Sequence, residues 1–344
     1  MDGGGETSPG GPGDPVQPDG IIGWVKGRAE GPLLLCVGGL HGNEPAGVRA
    51  LESVVERVRE RRRVLAGDFV AVTGNLQALS AGRRFMAYDL NRAWTPARLL
   101  VQRSVGVSPN GRAPAPEDAE VARMLDILHA VSVRRRGPVY VLDIHTTSGG
   151  GGAFTTAADT RRHKDFAMAI PAPLVLRLDE HLEGTLTSHL ARLGYTAAVF
   201  ECGQHQEAES QVRAACAIWL AIRAAGLIED AQVPEARQGW TALEEAYRRL
   251  PRILEMKYRH PVTKTDRYRT RPGFRNFQWV RVGDVIGDDR RGEVVVPASG
   301  RVLMPLYQEQ GEDGFFVVRD IETRADQDAA AGQGGAAAAP GANG

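Results

Sequence analysis

Between residues 20 and 250 the chain alternates two kinds of apolar pattern. Residues 32–39 (PLLLCVGG) form a short continuous apolar run closed by glycines, as a strand buried on both faces would. Pro45 then opens a stretch in which Val48, Leu51, Val54, Val55 and Val58 recur at helical spacing, which predicts a helix with proline in its tolerated first turn. DFVAVTG and PVYVLDIH read as a second and a third strand, the third preceded by a helix around VARMLDILHAV. PLVLRL, a helix near GTLTSHLARLG, the strand YTAAVFE and a helix over VRAACAIWLAIRAAG continue the pattern. Such alternation predicts an α/β fold: a mostly parallel, centrally buried sheet flanked by helices. From Arg252 the helical period stops. FQWVRV, DVIG, GEVVVPAS, GRVLMPLY and GFFVVRD, separated by Gly-Asp and Gly-Glu turns, predict a small all-β barrel or sandwich. The expected organisation is an α/β unit over 21–245 and a β unit over 246–323. Residues 1–20 and 324–344, rich in Gly, Pro, Ala and Asp, read as disordered tails.

Composition narrows the classes of function. A length of 344 residues suits about two domains. The 42 Lys and Arg residues balance the 42 Asp and Glu residues, which argues against a protein that holds nucleic acid or anionic membrane by bulk charge. No apolar run approaches the roughly 20 residues of a membrane-spanning helix, and the first 20 residues lack the basic and apolar regions of a signal peptide. Cys36, Cys202 and Cys216 are too few and too scattered for a disulfide framework or a Cys-rich zinc site. A cytoplasmic protein with no nucleic-acid or membrane partner is the expectation.

The candidate chemistry gathers at strand ends, where open α/β sheets collect their ligands. The first strand runs into GGLHGNEPAG, with His41 and Glu44 in the turn before a helix; VLDIHTTSGGGG places His145 at the mouth of another strand. Two histidines and a carboxylate are the protein ligands of a common catalytic zinc site, the fourth position being left for water. Glu201 ends the strand AAVFECGQH and suits the general base for that water. Strand alternation turns Phe200 and Cys202 to the opposite, packed face. RRFMAYDLNRAW adds Arg84, Asp89, Asn91 and Arg92, a mixture suited to gripping an anion. His205, four residues after Glu201, is a candidate for the cleft lining.

H-G-N-E, D-L-N-R, D-I-H-T-T-S and E-x-G-Q, in this order, resemble the succinylglutamate desuccinylase and aspartoacylase family, a deacylase branch of the zinc carboxypeptidase superfamily. The resemblance runs from about residue 20 to 320 and implies a zinc-carboxypeptidase-like domain followed by a β domain of barrel-sandwich hybrid type. It further implies that His41, Glu44 and His145 hold one Zn2+ per chain and that Glu201 is the general base and acid. Arg84 then polarises the scissile carbonyl, Asn91 and Arg92 bind the substrate α-carboxylate, and Asp89 orients the first zinc histidine. The implied reaction is hydrolysis of a small N-acyl amino acid to a carboxylate and a free amino acid. No residue maps onto the group that would hold the distal carboxylate of a succinyl or aspartyl substrate, so the acyl group and amino acid stay open, as does homo-oligomer formation.

The same constellation admits a zinc carboxypeptidase acting on short peptides, or more remotely a zinc-binding protein without turnover. Met256-Lys257 faintly resembles a biotinylation site, but at the entry to the β unit rather than at a hairpin tip. There is no phosphate-loop lysine or G-x-G-x-x-G spacing for a nucleotide, and no G-x-S-x-G for a serine hydrolase.

Overall fold

The computed structural model describes residues 19–28, 30–104 and 114–321. The expected tails therefore lie outside the described residues, apart from Asp19 and Gly20. The chain begins with β1 (Ile21–Val25), β2 (Leu33–Gly38), α1 (Pro45–Glu60) and β3 (Asp68–Thr73). Helices α2 (Leu76–Ala81), α3 (Pro96–Ser104) and α4 (Pro116–Arg134) precede β4 (Val139–Thr147). Then come β5 (Phe154–Ala157), α5 (Arg161–Met168), β6 (Leu174–Leu176), α6 (Leu186–Arg192), β7 (Thr196–Gln204), α7 (Ala208–Ala224) and α8 (Pro234–Tyr247). Strands follow: β8 (Ile253–Pro261), β9 (Arg269–Thr270), β10 (Trp279–Val280), β11 (Val285–Asp289), β12 (Gly292–Val295), β13 (Gly300–Leu303) and β14 (Asp313–Asp320).

Eleven strands make one mixed sheet in the order β1-β3-β2-β4-β7-β5-β6-β8-β14-β13-β10, and β12-β11-β9 form a small antiparallel sheet. The centre, β3-β2-β4-β7, is parallel, while β1 at the edge and β5 beside β7 run antiparallel to their neighbours. Strand alternation explains why β2 reads as apolar throughout. Leu34 and Cys36 pack against Leu51 and Val55 of α1 and Ile218 of α7, and Leu33, Leu35 and Val37 face Met124, Ile127 and Val131 of α4. With both faces covered, the parallel strands end on one edge of the sheet, and Gly38 of β2, Ile144 of β4 and Phe200 of β7 align there in register.

The sheet does not stop where the helical pattern ends. β8 pairs parallel with β6 on one side and antiparallel with β14 on the other, so the C-terminal strands extend the central sheet instead of forming a detached layer. This continuity goes beyond the sequence expectation, in which the β run begins only at Phe277. Its signal is present as period two: Leu254, Met256 and Tyr258 alternate with Glu255, Lys257 and Arg259. The charged partners dilute the apolar run that marks the other strands. β14 serves two cores by the same alternation, with Phe316 and Val318 facing Phe154 and Met256, and Phe315 and Val317 facing Ile286 and Val302.

Phe154 is the hinge of this continuity. Fully buried, it meets Phe277 edge-on with ring centroids 6.0 Å apart and shares a core with Val175, Leu254 and Phe316. Phe154→Ala is expected to cost about 3–5 kcal/mol of stability. Denaturant unfolding checks this; a loss below about 1 kcal/mol would mean that the two parts of the sheet do not share a core.

Candidate metal centre and cleft

The turn after β2 must change direction sharply. Gly39 has φ of 68°, and a Cβ on Gly42 would lie 2.0 Å from the backbone carbon of Ala78, so only glycine lets the turn approach α2. Gly42 also donates its N–H to the Arg84 carbonyl at 3.2 Å. Glu44 is the N-cap of α1 and Pro45 opens its first turn, yet the Glu44 side chain makes no capping bond. Its carboxylate turns instead into the protein, at the helix end where backbone N–H groups favour negative charge.

There the two histidines converge on it. His41 Nδ1 lies 2.8 Å from Glu44 Oε1, and His145 Nδ1 lies 3.0 Å from Oε2, which also accepts the Thr146 backbone N–H at 3.0 Å. The three side chains are buried, their ligand atoms lie within 4.8 Å of one another, and together they could hold a metal ion. Each imidazole is backed through its other nitrogen. His41 Nε2 is 3.1 Å from Asp89 Oδ1, and His145 Nε2 is 3.1 Å from Asp143 Oδ2. Asp143 was not among the residues singled out from sequence. Its signal is the spacing D-I-H on a strand, which puts Asp143 and His145 on one face.

The charges shift the protonation of these groups. Burial would raise the Glu44 carboxyl, but His41 and His145 more than offset it and hold it well below its usual range. Burial likewise opposes charge on His145, and Asp143 with Glu44 outweighs it, so the imidazole is raised well above its usual range. Glu201 sits beside them across the β4–β7 ladder, paired in register with His145. Its Oε2 is buried without a hydrogen-bond partner among the described residues, and burial pushes the carboxyl up to about 8, with His145 opposing and Glu44 adding.

Asp89 ties the second candidate segment to the first. One carboxylate oxygen faces His41 and accepts the Asn91 N–H at 2.8 Å, while the other accepts Arg84 Nη2 at 2.9 Å. Arg84 also lies 3.6 Å from Glu44. Asn91 Oδ1 accepts the Leu186 N–H at the start of α6 at 2.9 Å, and its amide N–H donors have no partner among the described residues. Arg92 is 3.2 Å from Asp313 on β14 and 3.8 Å from Glu312. These two acids had no place in the sequence reading, since nothing in the pattern connects residues more than 200 positions apart.

All of these groups except Asp89 and Asp143 line one solvent-open cleft, with Leu306, Gln308 and Gly311 of the C-terminal segment on its rim. His205 stands behind that wall. It bonds Thr146 Oγ1 at 2.7 Å and Gln308 Oε1 at 3.1 Å, which themselves face the cleft. Cys202 is fully buried and donates to the His145 carbonyl at 3.0 Å, so strand alternation places it and Phe200 away from Glu201.

Comparison with known proteins bears on this arrangement. The family model for the succinylglutamate desuccinylase/aspartoacylase catalytic domain matches residues 30–217. The chain belongs to that family. A human N-acyl-aromatic-L-amino acid amidohydrolase (carboxylate-forming) is 32% identical over 146 residues, covering 42% of this chain and 41% of that protein. A probable aspartoacylase of Prochlorococcus marinus is 33% identical over 137 residues, covering 40% of each. The match thus spans about two fifths of these curated relatives. A solved succinylglutamate desuccinylase/aspartoacylase from Rhodobacter sphaeroides shares the fold with a TM-score of 0.60 at 19% identity, over 86% of this chain and 87% of that one. The ectoine utilization protein EutE (DoeB) from Ruegeria pomeroyi also has a TM-score of 0.60, at 18% identity and 86% coverage of both chains.

In this family member the HGNE turn has no room for a side chain at Gly42. Gly42→Ala is expected to lower stability by about 1–3 kcal/mol, because the displaced neighbour is backbone. Thermal unfolding reads the loss; an unchanged midpoint would show that the turn can retreat from α2.

Proposed function

We propose that the chain is a zinc-dependent amidohydrolase that cleaves small N-acyl amino acids into a carboxylate and a free amino acid. The observation that carries this reading is the pair of buried imidazoles, each backed at Nε2 by a carboxylate and each aiming Nδ1 at Glu44. An Nε2–H given to Asp89 leaves His41 Nδ1 with a lone pair, and on His145 the Asp143 carboxylate, an ion-pair contact at 3.1 Å outside hydrogen-bond geometry, favours the proton on Nε2 in the same way. Lone pair then faces carboxylate oxygen at 2.8 and 3.0 Å, an arrangement that calls for a proton or a cation between them. Two nitrogens and one carboxylate suit zinc with a position left open.

Zinc held by His41, Glu44 and His145 would supply Lewis acidity, making water a stronger acid and drawing charge from the amide carbonyl. The protein's own groups do the rest. Glu201 takes the proton of the attacking water and hands it to the departing amine, which converts a poor leaving group into a neutral one. A carboxyl held up to about 8 without a cation becomes a stronger acid beside one, so a dication favours the ionised, proton-accepting form. Arg84, buried and anchored by Asp89, offers positive charge to the oxyanion that develops on the carbonyl. Asn91 and Arg92 fix the α-carboxylate and so the position of the amide. Leu306, Gln308 and the 311–313 segment narrow the cleft, which favours a small substrate over a long peptide. We read the C-terminal two-sheet arrangement as the barrel-sandwich hybrid that the resemblance implies.

The test is amine release by the zinc-loaded protein from N-acetyl amino acids, their methyl amides, and a blocked tetrapeptide with a free C-terminus. Short N-acyl amino acids should be hydrolysed and the tetrapeptide spared; preference for the tetrapeptide would make the protein a carboxypeptidase. His41→Ala and His145→Ala should lose both zinc and activity, whereas Glu201→Gln should retain zinc and fall at least about 10²-fold in turnover. A full zinc complement in both histidine variants would remove the metal site from this account.

The backing of His145 has its own readout. Asp143→Ala should weaken zinc binding by about 10- to 100-fold, measured by competition with a chelator. Unaltered affinity would mean that Asp143 serves packing alone.

A further inference from the structure

The substrate's amino-acid side chain has a recognisable place in the cleft. Asn91 and Arg92 are packed against the segment between β6 and α6. Asn91 Oδ1 accepts the Leu186 N–H at 2.9 Å, the Gly184 carbonyl accepts the Trp94 N–H at 3.0 Å, and a Cβ on Gly184 would lie 2.5 Å from the Arg92 carbonyl. That same segment sends Leu178, Asp179 and Leu182 into the cleft, beside Thr156 of β5 and Val199 of β7. An α-carboxylate on Asn91 and Arg92 therefore sets its side chain against this wall. The acyl end falls on the other side, towards Ser148 and Gln308, the latter held by Asn43 and His205.

Charge is distributed unevenly over these walls. Among the described residues, the cationic groups facing the cleft are the two histidines, Arg84 and Arg92, and each already has a carboxylate within 4 Å. Of the acids, Glu44 meets both histidines, Glu312 and Asp313 meet Arg92, and Glu201, which has no ion pair within 4 Å among the described residues, sits beside His145 as the proposed base. Asp179 differs. Its neighbour Glu180 is bound to Arg177 at 3.0 Å, but Asp179 has no cationic partner among the described residues. The carboxyl is raised by burial, with the charges of Glu180 and Asp159 adding to it, and its opposing contacts are backbone hydrogen bonds at Asp179 and Glu180. A cation arriving in the cleft would relieve that cost; a second substrate carboxylate would increase it.

We propose that Asp179 makes the cleft selective for N-acyl amino acids whose side chain is an apolar stem ending in an ammonium group, and against those with a side-chain carboxylate. Leu178 and Leu182 receive the methylenes and Asp179 the charge. This rests on the amidohydrolase reading, which it deepens by naming the amino-acid class.

The experiment compares Nα-acetyl-lysine and Nα-acetyl-ornithine with their uncharged counterparts Nα-acetyl-norleucine and Nα-acetyl-norvaline, and with Nα-acetyl-aspartate and Nα-acetyl-glutamate, on the zinc-loaded protein. The expected order of kcat/KM is ammonium over alkyl over carboxylate. Asp179→Asn should shrink the lysine-to-norleucine ratio by about 10-fold or more, the value of a charge-assisted bond. Asp179→Glu, which restores the charge, should restore the preference and guards against misfolding as the cause. Equal or better use of norleucine by the unmodified protein, or an unchanged ratio in Asp179→Asn, would overturn the proposal while leaving the amidohydrolase intact. Best use of glutamate would also overturn it, and would direct attention to Arg162 and Arg192, which line a cavity adjoining Asp179. If none of the six amides is cleaved, the hydrolase reading fails, and calorimetric binding of the same compounds still decides the order of side chains.

Discussion

Burying Glu44, Asp89 and Asp143 at one end of a sheet is the constraint around which the structure is arranged. Their relative exposures are 2%, 6% and 0%, and isolated carboxylates so placed would cost several kcal/mol each. Compensation comes from His41, His145 and Arg84, with backbone N–H groups at Thr146 and Asn91 completing the set. None of these partners can leave without stranding a charge. The turn after β2, the mouth of β4 and the segment before α3 are thus held together by charge neutralisation, although the pieces are far apart in sequence. A divalent cation among Glu44, His41 and His145 would complete the same balance by placing a positive charge between the carboxylate and the imidazole nitrogens that face it.

The cleft is closed by the continuity of the sheet. Because β8 joins β6 directly, β14 and residues 311–312 before it are delivered beside the ends of β4 and β7. Asp313 is shared between Arg92 and Arg259, and Arg259 also donates to the His181 carbonyl at 2.7 Å, so one carboxylate links the C-terminal strands, the Asn91–Arg92 segment and the wall that carries Asp179. A carboxylate on Arg92 has two consequences. It orients the guanidinium, and it offsets part of the positive charge that a substrate carboxylate would meet there on the proposed reading. Binding of a carboxylate at Arg92 would then rely on geometry and on the N–H donors of Asn91 more than on bulk attraction.

Much of the fold is legible because strands buried on both faces carry their signal in every residue. β2, β4 and the first part of β7 read as apolar runs, and their polar ends stand out against them as His145 and Glu201. β8 does not announce itself in that way. Glu255 pairs with Arg177 and Arg319 and Lys257 reaches the Ser299 carbonyl, so half of the strand looks like surface even though Leu254 and Met256 are core. The helix α8 is similarly diluted, with one buried stripe of Ala236, Gly239, Leu243 and Tyr247 in a polar sequence.

The site divides along the same line. Residues that project from strand ends or adjacent turns are visible because the local pattern makes them incongruous, and His41, Glu44, His145 and Glu201 all belong to this kind. Asp143 is hidden inside an apolar run, where its charge reads as noise until its alignment with His145 is considered. Asp179 and Asp313 are hidden for a different reason. Each sits in a polar stretch where an acid is unremarked, and its meaning comes only from what the fold sets opposite it: for Asp313 two arginines, for Asp179 no cation among the described residues. On the proposed reading the chemistry is thus written locally, in strand ends, whereas the selection of substrate is written in long-range juxtapositions. Family membership therefore leaves the amino acid open, and the decisive physical question is which charges in the cleft are already neutralised before a ligand arrives.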